Sequence, residues 1–159
     1  MDQSTFTTPT EEYSSNTKKN SKRNKENTSK PSNAFVAVSW CTLIVGMTAY
    51  FIGLYNAEML LNEKGYYFSI IMFGLFSVVS VQKSVRDRLE GIPVTDIYYG
   101  ISWFSALLAV TLLVVGLWNA ELTLSEKGFY AMSFLLSMFS AIAVQKNTRD
   151  LQAHTNSDN

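Results

Sequence analysis

Gly53-Leu-Tyr-Asn-Ala-Glu-Met-Leu-Leu-Asn-Glu-Lys-Gly65 returns without a gap as Gly116-Leu-Trp-Asn-Ala-Glu-Leu-Thr-Leu-Ser-Glu-Lys-Gly128. Each copy is a polar clip between two apolar runs. About half of the positions from Gly53 to Asp87 are identical to their counterparts from Gly116 to Asp150, which reads as duplication of one supersecondary unit. The pattern predicts an all-α integral membrane protein, with four transmembrane helices arranged as two tandem homologous hairpins behind a disordered N-terminal tail.

On the N-terminal side of the first clip, Ala34 to Ala57 holds no charged side chain. As a helix rising about 1.5 Å per residue, that run is long enough to cross a hydrocarbon layer of about 30 Å. A cleaved signal peptide is the rival reading, but the apolar run is too long and no small-x-small site closes it. On the far side, Gly65 to Gln82 is uncharged but near the lower length limit for a span. Its flanks favour a helix: Asn62 is placed to cap it, Glu63 suits the positive end, and Lys83 and Arg86 suit the negative end. Ser125, Glu126, Lys146 and Arg149 recur in the second copy, around the long run Ile97 to Ala120 and the shorter Gly128 to Gln145. Lys83 with Asp87 and Lys146 with Asp150 have the i,i+4 spacing of ion pairs, so each second helix is expected to run about a turn into water.

The resulting map is a disordered polar and basic tail over 1–33, a two-helix membrane repeat over 34–87, and a linker over 88–96. A second repeat over 97–150 and a polar tail over 151–159 complete it. The N-terminal tail is rich in Ser, Thr, Asn and Lys and almost empty of aliphatics. Its lysines and Arg23 can hold it in the cytoplasm, or can bind anionic lipid heads at about 1 kcal/mol per charge. Gly91-Ile-Pro93 marks a turn in the linker, with Thr95 or Asp96 available to cap the next helix.

Orientation follows from the basic residues. Six precede the first span, Lys83, Arg86 and Arg88 lie at the linker, Lys146 and Arg149 at the end, and each clip has one, Lys64 or Lys127. Both termini and the linker are therefore expected in the cytoplasm and both clips outside. Tyr55, Tyr66, Tyr67, Trp118, Phe129 and Tyr130 are expected to ring the outer interface, with Trp40, Tyr98, Tyr99 and Trp103 nearer the inner one.

Two constellations are candidates for chemistry. In the clips, Asn56, Glu58, Glu63, Lys64 and Gly65 with Asn119, Glu121, Glu126, Lys127 and Gly128 gather four carboxylates, in principle enough for a divalent cation or a basic ligand. Interfacial anchoring and capping is the plainer reading, because a charge that costs about 3 kcal/mol at mid-span is cheap at the interface. Gly65 and Gly128 are read as points of close backbone approach. The second constellation is a small-residue stripe, Gly74 and Ser77 with Ser133, Ser137 and Ser140, whose three- and four-residue spacing suits helix packing better than a polar pore. Ala49 with Gly53 and Ser102 with Ala106 extend it to the odd helices.

Cys41 is the single cysteine and His154 the single histidine, so no disulfide, paired-cysteine metal site or bis-histidine haem is available. Phosphate-binding and dinucleotide glycine loops are missing, and no acid or base lies mid-span, which counts against an ion pump. Net charge is zero, which gives no reason to expect nucleic acid. The expectation is a protein without cofactor or catalytic residues. It would act through helix packing and through contacts with the lipid bilayer, with itself as a homo-oligomer or with a membrane protein partner; a small transporter or channel is the alternative.

The clip Asn-Ala-Glu-x-x-Leu-x-Glu-Lys-Gly-[Tyr/Phe]-Tyr, followed by Val-Gln-Lys-x-x-Arg-Asp, resembles the signature of the YiaA/YiaB inner membrane protein family. With two copies, the chain resembles the YiaA type, and Trp118-Asn-Ala-Glu121 with Gly91-Ile-Pro93 sharpens the likeness. The polar head before Ala34 departs from it. The resemblance implies a bacterial inner membrane location and brings no catalytic residues.

Overall fold

The computed structural model describes residues 32–157, with side chains through residue 152. Almost all of the tail expected over 1–33, and the side chain of His154, lie outside the described residues. Four helices follow one another: α1 (Asn33–Asn56), α2 (Leu61–Leu89), α3 (Asp96–Asn119) and α4 (Leu124–Ser157). All four are long and apolar enough to cross a membrane. The short second span of the sequence reading sits inside a helix of 29 residues, because α2 continues through its charged flanks. Likewise α4 continues through residues 151–157, where a polar tail was expected.

Most of each clip is helical. The chain turns only over residues 57–60 and 120–123, where Ala57, Leu60 and Ala120 adopt extended backbone. At the other end, Gly91 has φ +74°, and the Gly91 and Ile92 N–H groups donate to the carbonyls of Arg88 (3.2 Å) and Asp87 (2.8 Å). That pair of bonds is a Schellman stop, which needs a residue tolerant of positive φ. Arg88 then pairs with Asp96 and lies 4.3 Å from the centre of the Tyr99 ring, which ties the linker to the start of α3. The expected Lys83–Asp87 and Lys146–Asp150 pairs are not what forms. Asp87 takes Arg86 at 2.8 Å and Asp150 is 3.8 Å from Arg149, since the adjacent guanidinium reaches each carboxylate.

The four helices form the two tandem two-helix repeats that the sequence predicts, and they pack mainly across the repeats. Consecutive helices of one repeat share the smaller contacts. Helix α1 lies along α4, α3 lies along α2, and α2 meets α4 in the middle. The cause lies in complementary faces. A Cβ added at Gly46 would stand 2.8 Å from Ser137 Oγ and 3.2 Å from its backbone nitrogen, and one at Gly53 would stand 2.7 Å from the Phe129 ring. One repeat on, a Cβ at Gly116 would stand 2.6 Å from the Tyr66 ring. Gly53 therefore receives Phe129 as Gly116 receives Tyr66, and the two contacts are equivalent under the duplication. Buried positions repeat as well: Ser39, Gly46, Tyr50 and Leu54 of α1 correspond to Ser102, Ala109, Leu113 and Leu117 of α3.

The core between these helices is aromatic near the clips. Tyr50 and Tyr130 meet edge to face at 5.5 Å, Tyr67 and Tyr130 stack at 5.8 Å, and the Tyr50 hydroxyl donates to the Tyr67 carbonyl at 3.0 Å. Tyr67 and Tyr130 thus leave the expected outer ring for the interior, where they are 3% and 2% exposed. Tyr55, Tyr66, Trp118 and Phe129 remain exposed, as do Trp40, Tyr98 and Trp103 towards the other end. Large apolar side chains along α1 and α3, including Ile44, Val45, Phe104 and Leu107, face outward.

Candidate functional site

Both clips are built from mutual capping. The Asn56 and Asn119 amides each donate back to the carbonyl four residues earlier, Ile52 and Val115, at 2.8 Å. Lys64 Nζ reaches the Tyr55 carbonyl at 2.9 Å and Lys127 Nζ the Trp118 carbonyl at 3.5 Å, so the lysine of each second helix serves the open end of the first. Glu63 accepts the Leu60 N–H, and Glu126 accepts the Thr123 N–H, both at 2.8 Å. In the second copy the box is complete, because Thr123 Oγ1 accepts the Glu126 N–H at 3.3 Å. Asn62 and Ser125, expected as caps, lie within the helices instead. Glutamates three residues beyond Leu60 and Thr123 reach the free N–H groups from inside the turn.

Gly65 and Gly128 are not close-approach points. Among the described residues nothing lies within 4 Å of a Cβ added at either, which corrects the sequence expectation. Close approach belongs to Gly46, Gly53, Gly74 and Gly116, of which Gly53 and Gly74 lie in the small-residue pattern of the sequence.

The small-residue stripe is packing surface. Gly74 faces Phe134 and Met138, and Ser77, Ser133, Ser137 and Ser140 are buried. Each of these serines donates to a carbonyl of its own helix: Ser77 to Phe73, Ser133 to Phe129, Ser137 to Ser133 and Ser140 to Leu136. Asn147 adds an interhelical bond that the sequence reading missed, donating to Ser39 Oγ at 3.0 Å inside the bundle.

Where the first clip meets the end of α3, the two clips bound an open cleft of about 1050 Å³. It brings Glu58 and Glu63 together with Glu121 and Asn119, while Asn56, Lys64, Gly65, Glu126, Lys127 and Gly128 lie outside its lining. Tyr66, Tyr67 and Gly116 form its inner wall. The Tyr66 hydroxyl crosses to the Leu112 carbonyl of α3 at 2.8 Å, fixing that wall. Among the described residues, no group of three or more His, Cys, Asp or Glu side chains converges as a metal site.

The family model for the yiaA/B two helix domain matches residues 35–87 and 98–150. The inner membrane protein YiaA of Escherichia coli (strain K12) is 59% identical over 117 residues, covering 74% of this chain and 81% of that protein. The uncharacterized membrane protein YubF of Bacillus subtilis (strain 168) is 40% identical over 58 residues, 36% of this chain and 67% of that protein. The inner membrane protein YiaB of Escherichia coli (strain K12) is 28% identical over 99 residues, 60% of this chain and 81% of that protein. No solved structure matches the chain. With both repeats matched over their helices and the turns between them, the chain belongs to the yiaA/B two helix domain family.

Proposed function

We propose that this chain is a multi-pass protein of the bacterial inner membrane, with both termini cytoplasmic, that works without catalysis. It acts through its packed helices on lipid, on a second copy of itself or on another membrane protein. One observation carries the reading: the small and polar side chains that would have to line a path are consumed in packing the repeats against each other. Buried serine hydroxyls turn back onto their own helices, and the outward faces of α1 and α3 are apolar. The basic residues at the linker and at both ends support the orientation, and the relatives' names support the membrane.

A photo-crosslinking residue placed at Ile44 on α1, and separately at Leu107 on α3, tests the reading in living cells. Both side chains are exposed to the surroundings of the bundle. A discrete adduct, with the chain itself or with one defined membrane protein, is the expected result. A chain that crosslinks only to lipid, and moves a solute into vesicles after reconstitution, would replace this reading with the transporter alternative.

A further inference from the structure

We infer that the cleft between the clips binds an aliphatic polyamine, a flexible chain carrying several ammonium groups. The reading is independent of whether the helices also contact a membrane partner. Three carboxylates, those of Glu58, Glu63 and Glu121, line the cleft, and among the described residues no lysine or arginine does. The clip lysines, which could have neutralised them, are turned to helix-end carbonyls instead.

A second observation points at a ligand. Tyr67 is 3% exposed, and its hydroxyl has no hydrogen-bond partner among the described residues. It reaches the wall of the cleft: a Cβ added at Gly116, itself part of the lining, would stand 3.3 Å from that oxygen. A buried hydroxyl left without a partner is costly, and a donor arriving in the cleft would supply one. Tyr130, its repeat counterpart, also lacks a partner among the described residues but does not line the cleft. The duplication is broken at this place, since Phe129 stands where the cleft has Tyr66.

The arrangement of the acids selects the class of ligand. They do not converge as a metal site, so a compact divalent ion would satisfy them poorly. Ammonium groups spaced along an alkyl chain can meet separated carboxylates one by one. The ring of Tyr66, which keeps exposed surface in the lining, offers the alkyl segments an aromatic wall and the ammonium a π face. A zwitterionic lipid head fits less well, because its phosphate would face acids with no cation to receive it.

Spermidine titrated calorimetrically into the purified full-length protein in nanodiscs is the test. Wild type should bind it saturably, and more tightly than propylamine or magnesium. Glu58 and Glu121 take no part in the caps, so E58Q/E121Q keeps the turns and should weaken binding by about tenfold or more, the scale of lost charge-assisted hydrogen bonds. Tyr67→Phe removes only the hydroxyl and should weaken binding severalfold with the helical spectrum unchanged, which keeps the inference testable if the double variant misfolds. Glu90→Gln, at the far end of α2, should titrate as wild type. No saturable spermidine binding by wild type, equal binding of propylamine or magnesium, or wild-type titration by Tyr67→Phe and a folded E58Q/E121Q would overturn the assignment.

Discussion

Glycine separates into two roles in this chain, and the difference is large enough to measure. Gly46 is closed in by the backbone of Ser137, which cannot swing aside as a side-chain tip can. Gly46→Ala should therefore destabilise the bundle by about 1–3 kcal/mol, the usual cost of overpacking. Gly65 and Gly128 lie in open helical positions, where glycine costs backbone entropy and gains nothing in contact. Alanine at either should raise stability by about 0.5–1 kcal/mol. Thermal unfolding of the three variants in one detergent checks the order, and a Gly65→Ala variant that melts below Gly46→Ala would refute it. At this scale the sequence was only partly legible. Spacing placed Gly74 and the serines on one face, but which glycine meets a neighbour depends on which helix is opposite, and no local pattern states that. Tyr67 and Tyr130 show the same gap: beside a polar clip they read as interface aromatics, and only the packing of α2 against α4 turns them inward.

At the scale of the element, the two clips are a natural comparison of one turn with and without a full capping box. Thr123 both donates to and accepts from the Glu126 unit, whereas Leu60 offers only its backbone N–H to Glu63. Leu60→Thr should complete the first box and stabilise the start of α2 by about 0.5–1 kcal/mol, and Thr123→Leu should cost α4 a similar amount. Amide exchange at Glu63 and Glu126 is the local readout; unchanged protection at both after the two swaps would show that the hydroxyl is irrelevant. Helix existence was fully legible from the uncharged runs, and the stop at Gly91 from its place before Ile92-Pro93. Helix lengths were not, because the charged flanks of α2 and α4 lack the apolar signal that marked the spans. The caps differ for a related reason: Asn62 and Ser125 have the right chemistry for a cap, but the helices begin ahead of them, at Leu61 and Leu124, and the glutamates one residue later accept the Leu60 and Thr123 N–H groups instead.

For the whole molecule, duplication was legible and its consequence was not. The two tandem helical hairpins are present as expected, and the first helix of each repeat packs against the second helix of the other. Sequence identity between copies shows that α1 resembles α3 and α2 resembles α4, and it is silent on whether a helix prefers its own hairpin partner or the equivalent one. The glycine contacts decide it, since Gly53 receives Phe129 and Gly116 receives Tyr66. A single repeat should then be unable to cover its own faces. Expressed alone, residues 34–90 present α1 with no α4 to receive it, but a second copy can supply α2 in its place, with Tyr66 and Tyr67 standing where Phe129 and Tyr130 stand in the full chain. The fragment should form an exchanged homodimer in detergent, and co-expression with residues 91–159 should convert it to the one-to-one complex. The pairing has a specific signature. Leucine at Gly53 blocks the contact with the aromatic pair, so Gly53→Leu should abolish the fragment dimer and also weaken the full chain, whereas Gly65→Leu should leave both assemblies intact because nothing lies near it. Sedimentation of the fragment as a stable monomer, or a dimer indifferent to Gly53→Leu, would show that the hairpin is self-sufficient and that the cross-repeat contacts are not what holds the bundle together.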